Sequence, residues 1–252
     1  MVVQKRRNLS IIKILFSLFL VVLFCGIIFN TCDIMSSIIT HKGSLLYKDH
    51  LQVPSYTIYG VSLDEFKDEF DANTYAKSVQ KKGGMGHVYQ SGEYYVLAQV
   101  YPTLSQALEV QDNLINLDYN SKVVAINVPA IDLVYKGDNK TNAKLTFLQF
   151  KNIYNSLFSL CISFDAGNIT RVNFNGKLAY ILSQNMEHIK CIPTLGLEEN
   201  QEKQLTLSLK NVNAYLEQVL YDSSSDTLVS SLIKRQMLCV VQENILLAQK
   251  IS

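Results

Sequence analysis

A chain of 252 residues has room for one membrane segment plus one or two modest domains. Its 48% hydrophobic and 18% charged content excludes an intrinsically disordered chain. Of the 23 bases, Lys5, Arg6, Arg7 and Lys13 precede residue 33, leaving 19 bases against all 22 acids from Asp33 onward, a net charge of −3. That remainder lacks the basic patch that phosphate backbones require, which argues against nucleic acid as a partner.

The first element is a hydrophobic run. Residues 14–29 (ILFSLFLVVLFCGIIF) carry no charge, and Ile11 and Ile12 extend the run past Lys13, whose stem can snorkel to the headgroups. About 20 helical residues cross a hydrocarbon core of about 30 Å. With bases before it, the run predicts a cytoplasmic N-terminus (1–13), a signal anchor (14–32) and an extracytoplasmic remainder in a single-pass membrane protein. A cleavable signal peptide is the rival, but Asn30-Thr31-Cys32-Asp33 contains no Ala-x-Ala cleavage pattern. Residues 33–53 read as a polar connector.

From Pro54 the texture changes. Residues 56–62 (YTIYGVS) predict a strand, and 64–82 a helix with Phe66, Phe70, Tyr75 or Ala76, and Val79 on its apolar side, stopped by Gly83-Gly84. Residues 85–90 and 93–101 predict two strands joined by a Ser91-Gly92 hairpin turn. After Pro102, Thr103 or Ser105 caps a helix reaching Leu117, with Leu104, Ala107, Leu108, Val110 and Leu114 among its apolar positions. Residues 122–128 (KVVAINV) close the series as a strand. The order β-α-β-β-α-β predicts one antiparallel sheet with both helices on one face and the other face free.

Residues 140–252 predict helices. Phe150, Ile153, Leu157, Leu160 and Phe164 mark the first, and Leu178, Ile181, Met186 and Ile189 the second. Leu205, Leu209, Val212, Leu216 and Val219 trace a third; Leu228, Leu232, Met237, Val240 and Ile245 trace a fourth. A self-contained antiparallel bundle is one use of these stripes, and docking on an envelope partner the other. The fold class is α+β: a transmembrane helix, a sheet domain over 54–135 and a helical domain over 140–252.

Residues 54–129 resemble the bacterial sporulation-related repeat (SPOR) domain, in divergent forms from spore-forming Firmicutes. The resemblance rests on Gly83-Gly84-Met85-Gly86-His87-Val88-Tyr89, then Gly92-Glu93-Tyr94-Tyr95-Val96-Leu97-Ala98 through Tyr101, then Ser105-Gln106-Ala107. It implies binding to the glycan strands of septal peptidoglycan, with contacts at Tyr59, Ser62, Tyr95 and Val124. Tyr59 stands where the family usually has Gln, and the usual Gly-Pro is Gln99-Val100. Rings such as Tyr59 and Tyr95 can stack on a sugar face; each of the four also has the plain reading of a strand residue that packs or lies exposed.

Catalytic signatures are missing from the sequence. His41, His50, His87 and His188 form no HExxH pair, and Gly83-Gly84-Met85-Gly86 lacks the Lys-Ser/Thr of a phosphate loop. No catalytic residue, cofactor or metal is expected. The acids Asp64, Glu65, Asp68, Glu69 and Asp71 read as a solvated helix face rather than a hydrolytic pair. Cys25, Cys32, Cys161, Cys191 and Cys239 show no CxxC spacing; whether the last three are core residues or a disulfide is open. Two functions follow, a membrane-tethered binder of peptidoglycan glycan at division or sporulation septa, or a non-catalytic envelope scaffold whose sheet has lost glycan affinity; a wall hydrolase is the weakest third, for want of a catalytic constellation.

Overall fold

A computed structural model of the chain describes residues 49–251. The anchor expected at 14–32, and with it the membrane partner, lies outside those residues; among the described ones no helix is long and apolar enough to cross a membrane.

The expected β-α-β-β-α-β order is present. Strand β2 (Tyr56–Phe66), helix α1 (Glu69–Lys81), strands β3 (His87–Ser91) and β4 (Glu93–Tyr101), helix α2 (Leu104–Ile115) and strand β5 (Val123–Val128) form a four-stranded antiparallel sheet in the order β3-β4-β2-β5. Local chemistry sets the boundaries. Asp68 caps α1, accepting from the amides of Phe70 (2.8 Å) and Asp71 (3.2 Å), and Thr103 caps α2 by accepting from Gln106 N at 3.3 Å. Gly92, at φ +81°, makes the β3–β4 turn.

Helix α1 therefore starts later than its acidic run suggests, and Asp64 and Glu65 belong to an extended β2. Phe70, expected on the apolar side, is exposed; the buried face is Ala72, Ala76 and Val79, packed on Val96. Small residues let α1 lie close to the sheet. Leu104 and Leu108 of α2 are likewise exposed, whereas Ala107 packs with Val61 and Tyr101.

A second, two-stranded sheet lies within the stretch expected as a connector and just past β5. Strand β1 (Asp49–Val53) pairs antiparallel with β6 (Ile131–Tyr135), Leu51 opposite Leu133. Every second residue points inward, so Leu51, Val53, Ile131, Leu133 and Tyr135 are buried.

Four helices follow: α3 (Lys140–Asp165), α4 (Arg171–Cys191), α5 (Glu199–Leu220) and α6 (Asp226–Ile251), with a 3-10 turn at Ile192–Thr194. Thr170 caps α4, and Glu198 with Gln201 forms a capping box on α5. Neighbours close a ring, α3 on α4, α4 on α5, α5 on α6 and α6 on α3, a bundle but not the self-contained one expected, because its core is shared with the sheet.

The sheet face expected to be free is occupied. Ile58, Leu97, Val100, Ile126 and Val128 point away from α1 and α2 into a core shared with Phe147, Phe150 and Tyr154 of α3 and Met237 and Val241 of α6. Fifteen of the 26 residues of α6 are buried, the mark of a helix covered on most sides. Asn244 Nδ2 of α6 donates to Tyr56 Oη at 3.1 Å, fastening the helix to the sheet. Complete burial of a Leu- or Ile-sized side chain contributes about 1.5–3 kcal/mol, so a shared core of this extent outweighs the open face. The turn between the parts expected as separate sheet and helical domains thus lies inside one compact unit.

Candidate functional site

One corner of the covered face stays accessible, and it gathers an aromatic and charged row. Residues directly opposite in antiparallel strands share a face. Glu65 of β2 lies opposite Tyr95 of β4, and Tyr95 opposite Tyr89 of β3. All three are half-buried, and both tyrosines lean on the main core.

Lys122, at the entry to β5, completes the row. Its Nζ lies 2.5 Å from Glu65 Oε2 and 5.9 Å from the centre of the Tyr95 ring. The hydrogen bond from Lys122 is the main reason the Glu65 carboxyl sits below the usual range, with smaller help from Asn120 and Tyr95. The same bond raises the Lys122 ammonium. Two phenol rings beside a fixed carboxylate and ammonium offer a stacking surface plus donors and acceptors for hydroxyl groups.

Of the four residues expected to contact glycan, only Tyr95 stands in this row. Ser62 is fully buried at a β-bulge of the β2–β4 pairing; its Oγ accepts from Lys122 N (3.0 Å) and lies 3.2 Å from Lys122 O. Its bond is to the backbone that carries Lys122, so its effect on the row is positional. Val124 shares the face but packs against the main core opposite Gly60. Tyr59 points the other way, into the cluster under α2. Glu65, Tyr89 and Lys122 were missed as site residues. Tyr89 was legible, because a Ser91-Gly92 turn sets it opposite Tyr95. Glu65 was hidden in an acidic run that reads as helix.

A second polar cluster lies between Gly83 after α1, Asp165 ending α3, and α6. Lys234 Nζ is 2.6 Å from Asp165 Oδ2, donates to Gly83 O at 2.7 Å and reaches Ser230 Oγ at 3.0 Å. Ser230 and Lys234, one helical turn apart, have the spacing of a serine–lysine pair. However, three acceptors meet the three ammonium donors, so the lysine is committed to holding the cluster together. The cluster is built as a buried tie. Beside it, burial pushes the Cys161 thiol up to about 12, away from the reactive thiolate.

Among the described residues no group of His, Cys, Asp or Glu is arranged to hold a metal ion. Among the described residues Cys161, Cys191 and Cys239 form no disulfide with one another.

No family model matches the chain, and searches of curated proteins and of solved structures likewise found no match.

Proposed function

We propose that the chain is a non-catalytic scaffold of the bacterial envelope, tethered by residues 14–32, in which a SPOR-like sheet serves as a structural part rather than a glycan platform. One observation carries this reading: α3 and α6 occupy the sheet face that a ligand would need, through Ile58, Leu97, Ile126 and Val128. A glycan strand cannot displace a helix whose apolar side chains each contribute about 1.5–3 kcal/mol by burial. In this reading the outward surfaces of the body, with residues 1–48 as tether, recruit envelope proteins.

A second reading, retained binding of peptidoglycan glycan, is favoured by the Glu65–Tyr95–Tyr89 row with Lys122. There the sugar stacks on Tyr95 and bonds to Glu65 and Lys122, with Ser62 acting only as a support. The test is retention of the full chain on wall sacculi, untreated and stripped of stem peptides by amidase. The scaffold reading expects no retention on either. Retention on stripped sacculi that Tyr95→Ala abolishes would overturn it and establish the second.

A further inference from the structure

A cleft of about 420 Å³ lies where α1, β3 and α6 meet, lined by Glu69, Asn73, Gln80, His87, Tyr94 and Arg235. Arg235 reaches it from α6. Its side chain is half-buried, and its Nε is buried with no hydrogen-bond partner. Among the described residues no carboxylate lies within salt-bridge distance of its guanidinium. Asp222 senses its charge only as a minor influence. A buried donor left unbonded is costly, and folded proteins seldom keep one without a use.

The opposite charge in the cleft is exposed to solvent and likewise outside any salt bridge among the described residues. Glu69, in the first turn of α1, forms no salt bridge with any described residue, Arg235 included. The amides between them are half-committed: Asn73 Nδ2 donates to Glu69 O at 2.9 Å and Gln80 Nε2 to Gly86 O at 2.8 Å, which leaves their side-chain oxygens as acceptors. His87 adds no competing charge at neutral pH, because burial first, and Arg235 second, hold its pKa below the ordinary value.

A half-buried cation and a solvent-exposed carboxylate, neither in a salt bridge with any described residue, line one cleft together with spare amide acceptors, a set that matches a ligand carrying both charges. We propose that this cleft binds a small zwitterion of the amino-acid class, its carboxylate held by the Arg235 guanidinium and its ammonium by Glu69 with the oxygens of Asn73 and Gln80. The planar guanidinium fork suits a carboxylate, and the carboxylate–amide set supplies three acceptors for an ammonium. The inference is independent of the proposed scaffold role.

The test is titration of the full chain with alanine, acetate, methylammonium and inorganic phosphate, read by the NMR shifts of His87 and by calorimetry. Alanine is expected to bind more tightly than acetate or methylammonium, each of which satisfies one end only. Arg235→Gln should weaken alanine at least about tenfold, the scale of one charge-assisted hydrogen bond. Glu69→Gln, on an exposed helix surface where folding is not at stake, should erase the preference for alanine over acetate. Equal affinity for alanine and acetate in the native chain, alanine binding unchanged by Glu69→Gln, tighter binding of phosphate, or no binding of any probe overturns the proposal.

Discussion

Lys234 of α6 donates to the carbonyl of Gly83 at 2.7 Å, across 151 positions of sequence, and so ties the end of the first sheet helix to the last helix of the bundle. The same ammonium neutralises Asp165. A bond of this reach makes the sheet and the bundle depend on each other.

Replacing that lysine should expose the dependence. Lys234→Met takes the ammonium from Asp165 and leaves Gly83 O with only the longer 3.3 Å contact from Ser230 Oγ. Breaking a buried pair costs about 3–5 kcal/mol, and the 30% exposure of the Asp165 side chain brings the expected loss to about 2–3 kcal/mol. Pairing it with Asp165→Asn should recover part of the loss. Urea midpoints of the two variants check this; a double variant less stable than the single one contradicts it.

A shared core predicts shared unfolding. Met237→Ala, in a fully buried position of α6, should cost about 2–5 kcal/mol. Native-state hydrogen exchange should then show reduced protection in β2 and β4 of the sheet as well as in α5. Loss confined to the helices would mean that the sheet folds on its own.

Two glycines with left-handed backbone separate conformational strain from crowding. Gly86 (φ +53°) would place a Cβ 2.3 Å from Ala76 O, against backbone that cannot yield, whereas a Cβ on Gly92 (φ +81°) meets nothing within 4 Å. Gly92→Ala should cost about 1 kcal/mol from strain alone, and Gly86→Ala about 2–4 kcal/mol. Thermal denaturation of the two variants gives the ranking.

The Glu65–Lys122 pair has a pH window that follows from its shifts. Glu65 has its pKa lowered on folding, so its contribution is complete above the ordinary glutamate pKa and disappears as pH falls through the lower folded value. Lys122 has its pKa raised, so its share is complete below the ordinary lysine value and is lost as pH rises through the folded one. In an NMR titration of the Glu65 carboxyl, Lys122→Met should move the midpoint upward toward the ordinary glutamate value. An unmoved midpoint would show that Lys122 is not the main cause.

Much of the sheet was readable in the linear chain because short-range chemistry decides it. Ser91-Gly92 fixes the hairpin register within a few residues and so puts Tyr89 opposite Tyr95. Asp68 and Thr103 stop strands and start helices by bonding amides two or three positions ahead. The helical stripes of α3 and α5 repeat at the helix period, and their residues are buried as that period requires.

What escaped reading depends on partners far away in sequence. The alternation in Leu51-x-Val53 and Ile131-x-Leu133 was visible, but a five-residue strand means little until its mate, some 80 positions distant, is known. Tyr59 and Tyr95 looked like a pair of stacking rings; the bulges between β2 and β4, and the helix each face receives, put them on opposite sides. Above all, Ser230, Lys234 and Asn244 read as the polar side of an amphipathic helix, yet each is buried against a partner supplied by the sheet half or the end of α3. Turns, caps and periodicity belong to the chain taken alone, since they act over a few residues. The choice to cover the second sheet face belongs to the tertiary structure, because burial free energy counts only surfaces that have met.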